Sequence, residues 1–211
     1  MSWSRKQGRR RGYHHGHLRE ALIAAALELI AEKGPAGFTF ADAARAAGVS
    51  PAAPYRHFRD RDALLADVAL RGFERFGASL ECAWNDGKPH PFRALENVGR
   101  AYLAFARNEP ALYAAMFEAQ LPPDKTRELS QAGDQAFGIL RQACEALCAL
   151  MPPDKRPPSM MMSLHIWAMA HGVASLFARG DPARRKLPMP PEDLLEAGIL
   201  LYLRGLGLDG I

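Results

Sequence analysis

Hydrophobic residues recur at helical spacing along most of this chain, and no segment shows the period-two alternation that is typical of a half-buried strand. Glycine, proline and short polar stretches separate the helical segments. The pattern predicts an all-α fold of about nine helices. The predicted helices span residues 18–33, 39–48, 50–58, 61–81, 92–107, 110–117, 124–150, 159–179 and 191–206.

The stretch from Phe38 to Phe58 predicts two short helices joined by a tight turn. The Thr39 hydroxyl is placed to cap the first helix, and Asp42 is placed to complete a capping box. Gly48 ends that helix where a left-handed backbone is needed, and Ser50 is placed to cap the second helix. Two short helices with such a junction are typical of a helix-turn-helix that reads DNA.

Positive charge is concentrated near the N-terminus. The chain contains 27 Lys and Arg residues and 23 Asp and Glu residues, a formal net charge of +4. Residues 1–65 contain eleven basic and six acidic residues, a net charge of +5, which leaves −1 for the remainder. We expect a basic flexible arm over residues 1–16, in which Arg9, Arg10 and Arg11 bind phosphates or enter the minor groove. The alternative is a solvated tail without a partner.

The cysteines and the hydropathy pattern bear on compartment and cofactors. The three cysteines lack paired spacing, which favours a reducing compartment over a disulfide framework. No uninterrupted apolar run approaches the roughly 18 residues of a membrane span, so we expect a cytoplasmic protein with no membrane partner. Cys144 and Cys148 share a helix face and two histidines lie on another helix, but the spacing is not that of a metal site. We therefore predict no metal and no cofactor.

On these residues the chain resembles the TetR family of bacterial transcriptional regulators. The segment AGVSPAAPYRHFRDRDALL, residues 47–65, is similar to that family's helix-turn-helix with the start of the following helix. The lead-in YHHGHLREALIAAALELI, residues 13–30, is similar too. The segment IWAMAHG, residues 166–172, resembles the Trp…His-Gly signature of one subgroup's C-terminal domain, and NEPALYAAMF, residues 108–117, supports the same assignment.

The resemblance implies a homodimer whose two reading helices enter successive major grooves, with half-sites about 34 to 36 Å apart in a near-palindromic operator. It implies a DNA-binding domain over residues 17–62 and a ligand-binding and dimerisation domain over residues 63–211. It also favours a repressor, and a mainly apolar cavity would suit a small hydrophobic or amphipathic effector of unknown identity.

Residues that match the family's phosphate contacts are expected to set the register of the protein on DNA. They are Thr39, Ser50, Tyr55, His57 and Arg61. Two alternatives concern single residues: Tyr55 could pack against the first helix, and His57 could act only as a local cap.

The outward part of the reading helix lacks side chains that form hydrogen bonds. Pro51, Ala52 and Ala53 cannot make the bidentate contacts that usually distinguish guanine from adenine. We therefore hypothesise that these three residues contact thymine methyl groups, with help from Arg56 and from the basic arm in the minor groove.

The middle helices carry the aromatic and sulfur-containing side chains that we expect to line the cavity implied by the resemblance. The candidates are Tyr102, Phe105, Tyr113, Met116, Phe117, Phe137, Cys144, Trp167 and His171. The alternative for each is ordinary core packing, because such residues at helical spacing are usually core.

The last two helices carry strips of small residues and leucines, which we interpret as a four-helix dimer interface. The residues are Ala168, Gly172, Ser175, Leu194, Gly198, Leu201 and Gly205. The alternative is a monomer in which these helices are buried inside one chain.

Two other classes of protein compete with a regulator. A helical-bundle enzyme lacks support because the chain has no metal-ligand spacing, no phosphate-binding glycine loop and no nucleophile motif. A sequence-indifferent DNA-coating protein remains compatible with the basic arm and the apolar reading helix.

Overall fold

A computed structural model describes residues 15–121, 127–177 and 189–208. These residues form eight α-helices and contain no β-strand, which confirms the all-α fold. The helices are α1 His15–Lys33, α2 Phe40–Ala46, α3 Arg61–Trp84, α4 Pro91–Asn108, α5 Pro110–Phe117, α6 Arg127–Ala149, α7 Ser159–Phe177 and α8 Pro191–Gly205. Because α1 begins at His15, the last two residues of the predicted arm belong to a helix, and the first fourteen lie outside the described residues.

The predicted helix over residues 50–58 is replaced by a series of tight turns. The Ala53 amide donates to the Ser50 carbonyl at 3.0 Å, and Pro54–Arg56 forms a short 3₁₀ helix whose N-cap is Ala53. In an α-helix capped by Ser50, residue 54 would donate the first hydrogen bond, and proline has no N–H. Pro54 therefore removes the first hydrogen bond of that α-helix, and the predicted role of Ser50 as a helix cap is wrong, since the N-cap of the 3₁₀ helix is Ala53.

The remaining helix ends follow local sequence signals. Thr39 and Asp42 form the predicted capping box: the Thr39 amide donates to Asp42 Oδ2 at 2.9 Å, and the Asp42 amide donates to Thr39 Oγ1 at 3.1 Å. Gly48 has a φ of +69°, the left-handed conformation expected after α2. The Asp60 carboxylate caps α3 by accepting from the Ala63 amide at 2.7 Å.

Helix α3 is common to the two parts of the fold. Its N-terminal half packs against α1 and buries Leu64, Leu65 and Val68, and these contacts form the core of the helix-turn-helix head. Its C-terminal half packs against α4, α5 and α6 and buries Phe76 and Leu80. The head and the C-terminal body therefore share one continuous helix.

Helices α7 and α8 close the body at its far side, where α7 packs on α4 and α6 and α8 packs on α4 and α7. Within the described residues α7 is the one helix that is long and apolar enough to span a membrane, and a third of its apolar window is buried in this chain. Core helices of globular proteins meet the same criterion, so this is weak evidence for a membrane span.

Candidate functional site

The turn between α2 and α3 presents an apolar patch, Pro51 and Ala52, flanked by polar and basic side chains. Its exposed residues are Gly48, Ser50, Pro51, Ala52, Tyr55, Arg56 and Arg59. Pro54 and Phe58 are buried beneath them, while Ala53 and His57 are half-buried. The turn is thus anchored from the inside, and its outer surface is available to a partner.

Tyr55 lies beside α2 but keeps most of its surface. Its ring meets the Phe40 ring edge-on, with centroids 5.0 Å apart and planes at 84°. The side chain nevertheless remains 64% exposed. This contact fixes the ring without removing it from the surface of the head.

Arg61 is held inside the head by contacts with the loop between α1 and α2. Its Nε donates to the Phe38 carbonyl at 2.8 Å, and its Nη2 donates to the Pro35 carbonyl. The guanidinium carbon also lies 4.9 Å from the centre of the Phe38 ring. Only 26% of the side chain is exposed, so Arg61 holds the loop in place and is poorly disposed for the predicted phosphate contact.

Charged side chains tie α1 to α3. The Arg19 guanidinium contacts Asp67 at 2.5 Å, and Arg71 forms a two-point contact with Glu20 at 2.6 Å for each nitrogen. The hydrogen bond from Arg71 lowers the pKa of Glu20 and keeps it ionised. These pairs hold the head in a fixed orientation on the N-terminal half of α3.

A cavity of about 570 Å³ lies in the body between α3, α4, α6 and α7, with contributions from α5 and α8. Its lining is almost wholly apolar. The lining residues are Ala69, Phe73, Phe76, Leu80, Leu95, Val98, Gly99, Tyr102, Met116, Phe117, Leu121, Leu129, Ser130, Gly133, Asp134, Ala136, Phe137, Leu140, Leu164, Ile166, Trp167, Ala170 and Ile199. No Lys, Arg or His is among the described residues that line it, and Asp134 is the one carboxylate.

Behind this wall lies a polar cluster, which we define as Tyr102, Tyr113 and His171. The Tyr102 hydroxyl is 3.0 Å from His171 Nδ1, and the Tyr113 hydroxyl is 2.9 Å from the same nitrogen. Burial raises the pKa of both tyrosines and lowers that of His171. The cluster is therefore uncharged at neutral pH.

An apolar strip on the outer face of α7 and α8 remains uncovered in this chain. Leu201 is 68% exposed, and Met161 and Leu164 are each about half exposed. Ala168 and Gly172 lie along the same face of α7 and are also exposed. A contiguous apolar strip of this kind is typical of a protein interaction surface.

Two family models match this chain. Residues 22–68 match the model described as bacterial regulatory proteins, tetR family, and residues 95–202 match the tetracyclin repressor-like C-terminal domain. The second match alone covers about half of the chain. The chain belongs to the TetR family. Since members of this family are DNA-binding transcriptional regulators and not enzymes, the enzyme alternative is excluded.

Solved structures of other proteins show the same TetR fold. A protein of unknown function from Rhodococcus sp. RHA1 is 31% identical, with a TM-score of 0.75 over 92% of this chain and 98% of that one. The TetR-family regulator PfmR from Thermus thermophilus is 21% identical, with a TM-score of 0.67 over 87% and 97%. The fatty acid degradation regulator FadR from Bacillus halodurans is 16% identical, with a TM-score of 0.67 over 88% and 98%.

The TetR-type body brings together five of the nine predicted cavity residues. Those that line the cavity are Tyr102, Met116, Phe117, Phe137 and Trp167. Tyr113 and His171 lie one layer behind, in the polar cluster. Phe105 packs 5.1 Å from the Phe76 ring, and Cys144 is fully buried, which raises the pKa of its thiol to about 11. Phe105 and Cys144 are therefore core residues and not lining.

Sequence reasoning missed the contribution of α3 to the cavity. Phe73, Phe76 and Leu80 form one of its walls, and Gly133 and Ala136 of α6 face them. Their helical spacing predicts a buried face, but the same spacing is seen whether that face meets a neighbouring helix or an open cavity. The small residues on α6 are the one signal that could have indicated open space.

The predicted interface residues divide into two groups. Those exposed on the outer face are Ala168, Gly172, Ser175, Leu201 and Gly205. Leu194 and Gly198 are half-buried within the chain, and a Cβ added at Gly198 would lie 3.5 Å from Met169 Sδ. These two residues therefore contribute to the packing of α8 inside one chain.

Proposed function

We propose that this TetR-family protein is a homodimeric, sequence-specific repressor that leaves a near-palindromic operator when an apolar or amphipathic effector fills the cavity. The observation that carries the proposal is the path of α3. This helix anchors the DNA-reading head through Leu65 and Val68, and it lines the cavity through Phe73 and Phe76. A ligand in the cavity therefore contacts the helix that positions the head.

The exposed turn supplies the proposed DNA surface. Ser50 and Tyr55, with Thr39 and His57, contact phosphates and set the register. The flat apolar surface of Pro51, Ala52 and Ala53 contacts thymine methyl groups, and Arg56 reaches a base edge or a phosphate. Arg61 stabilises the loop behind this surface. Arg9, Arg10 and Arg11 lie outside the described residues and stay in the proposal as groove or phosphate contacts.

The apolar strip supplies the proposed dimer interface. Two copies of α7 and α8 related by a twofold axis would bury Leu164, Leu201 and the flat surface at Gly172. Open space surrounds Gly172 and Gly205, since an added Cβ at either position would meet no atom within 4 Å. Close approach of a second copy is therefore sterically possible there.

Helices α3 and α5 form the proposed switch. Met116 and Phe117 of α5 line the cavity, and α5 also packs against α1 of the head. A ligand that binds better to a state with the heads away from the groove spacing shifts the population toward free protein. Because its target is chromosomal DNA, the protein acts in the cytoplasm.

The test is selection of the purified protein against random duplex DNA at physiological salt, followed by sequencing of the bound pool. A near-palindrome with half-sites about one helical turn apart is the expected result. Strong binding with a random pool would contradict sequence-specific regulation and would favour the DNA-coating alternative. Transcription in vitro from a promoter that overlaps the selected site then tests repression, which requires less transcript as protein is added.

A further inference from the structure

Tyr102 and Tyr113 share one potential acceptor inside the polar cluster, His171 Nδ1. When His171 Nδ1 is an acceptor, it has one lone pair for two hydroxyl protons, those of Tyr102 and Tyr113. The two hydroxyl oxygens are 3.5 Å apart, at the outer limit of a hydrogen bond. When Nδ1 carries the proton instead, this nitrogen accepts from neither tyrosine. Ser175 is a further side-chain hydrogen-bond partner of Tyr113, so Tyr113 can stay paired when Tyr102 changes its partner.

The hydroxyl that can serve a ligand is that of Tyr102. Tyr102 lines the cavity, whereas Tyr113 and His171 do not. The Trp167 and Phe117 rings, which also line the cavity, lie 5.8 Å and 5.0 Å from the His171 ring. The Tyr102 hydroxyl thus lies among the lining rings, and Tyr113 can satisfy His171 while Tyr102 turns its proton to a bound molecule.

The charge of the cavity lining selects against anionic ligands, because the one charged side chain among the described lining residues is the Asp134 carboxylate. No Lys, Arg or His belongs to the described lining, so a carboxylate would enter without a counterion. Burial also lowers the pKa of His171, which disfavours the cationic form of this neighbouring imidazole. A hydrogen-bond acceptor that fits here is therefore a neutral one.

We propose that the effector is an apolar molecule with one uncharged carbonyl group, as in a ketone, an ester or an amide, and that its oxygen accepts a hydrogen bond from Tyr102 Oη. The inference rests on the proposed function in one respect, namely that the cavity binds the effector. It adds the chemical class of the ligand and the residue that recognises its polar group.

The test compares probes that share a hydrocarbon chain and differ in the polar group: 2-dodecanone, dodecanoate, dodecylammonium and dodecane. Binding to the full chain without DNA is followed by calorimetry. We expect 2-dodecanone to bind most tightly, with its infrared carbonyl band shifted to lower frequency by the hydrogen bond. Tyr102→Phe should abolish the shift and weaken ketone binding about tenfold, while the affinity for dodecane stays the same.

Tyr113→Phe is the matched control, since it removes the other hydroxyl of the cluster from outside the cavity lining. The shifted carbonyl band should persist in this variant. The inference would be overturned if dodecanoate or dodecylammonium bound more tightly than 2-dodecanone, or if all four probes bound equally. It would also be overturned if no probe bound, or if the ketone band were unshifted in the wild-type complex. The wild-type spectrum decides this even where a variant does not fold.

Release of operator DNA separates this inference from the proposed function. If 2-dodecanone binds through Tyr102 but leaves DNA affinity unchanged, the ligand class stands and the proposed switch fails. If dodecane releases DNA as well as the ketone does, the switch stands and the role of Tyr102 fails.

Discussion

His171 loses solvent in the fold without gaining a counterion strong enough to compensate. Burial lowers its pKa, and the Glu118 carboxylate opposes this effect only in part. The pKa in the unfolded chain is near 6.5. The unfolded chain therefore binds a proton at a higher pH than the folded chain does. The stabilisation linked to His171 is complete above about pH 6.5 and is lost as pH falls through the lower folded-state pKa.

We predict that the stability difference between the wild-type protein and His171→Gln depends on pH. The wild-type advantage should narrow as pH falls below 6.5, because glutamine does not titrate. Urea unfolding of both proteins at a series of pH values measures the difference and cancels the contributions of the other histidines. A difference that stays constant across this range would show that the folded and unfolded pKa values of His171 are the same.

Single residues could be predicted from sequence where their partners are local. Thr39 and Asp42 are three residues apart, so their capping box follows from the sequence alone. The partners of Arg61 are 23 and 26 residues away in the chain, and their carbonyls are not visible in a sequence pattern. For the same reason, the sequence does not show that Tyr113 and His171 lie behind the cavity wall and not in it.

At the scale of elements, the close contact between α3 and α5 gives a prediction about the cavity. A Cβ added at Gly72 would lie 2.7 Å from Met116 Cγ and Sδ. Because Met116 is flexible and lines the cavity, we expect Gly72→Ala to displace it and to reduce binding of 2-dodecanone. Calorimetry measures the loss of affinity, and urea unfolding measures the change in stability.

Gly77→Ala is the matched control on the same helix. Its Cβ would lie 3.7 Å from Ala136 Cβ, an ordinary contact. We expect this variant to gain roughly 0.5–1 kcal/mol of stability from the better helix former and to bind the ketone as the wild-type protein does. Equal binding by Gly72→Ala and Gly77→Ala would contradict the role of Met116 of α5 as part of the cavity wall.

Element boundaries were predictable where helical spacing was uninterrupted and a cap or a proline marked each end, as for α4 and α5. The boundaries of the second helix of the helix-turn-helix were not predictable, because two rules about proline conflict there. Proline is favoured at the first position of a helix, but Pro54 falls where the first helical hydrogen bond requires an N–H. The sequence therefore identified the helix-turn-helix correctly and misjudged the form of its second helix.

The turn between α2 and α3 leads to a prediction about which groups of the operator are contacted. If Pro51 and Ala52 contact thymine methyl groups, replacing those thymines with uracil should weaken binding about fourfold for each contacted methyl. Electrophoretic mobility shifts on the selected operator measure the effect. Uracil in the flanking sequence is the control and should leave affinity unchanged. Unchanged affinity after substitution within both half-sites would remove methyl recognition from the mechanism.

At the scale of the whole molecule, the family could be read from a local signature but the cavity could not. The helix-turn-helix occupies one short stretch of sequence, whereas the cavity is lined by residues of six helices, from positions 69 to 199. Its volume depends on small differences in how those helices pack, and no periodicity encodes such differences. The apolar strip could be predicted only in part. Its residues recur at helical spacing, but their exposure depends on how α7 and α8 pack on α4.

The strip leads to the prediction that most affects the function of the whole molecule. Leu201 of α8 and Leu164 of α7 are exposed, and Leu164 also borders the cavity. A charge on either would be buried without a partner in a twofold interface. We predict that Leu164→Glu with Leu201→Glu converts the protein to a monomer in sedimentation, with an unchanged helical circular dichroism spectrum. A monomer engages one half-site at a time, so binding to the full operator should fall steeply.

Leu150→Glu is the control, since Leu150 is an exposed leucine that follows α6 and belongs to neither α7 nor α8. It makes the same type of substitution once, on an exposed leucine outside the strip, and should remain dimeric with normal operator affinity. A double variant that still sediments as a dimer would place the interface elsewhere. A wild-type protein that is monomeric yet binds the near-palindrome tightly would contradict the proposed dimer. The fixed spacing of the half-sites would then have no explanation, because that spacing requires two linked heads.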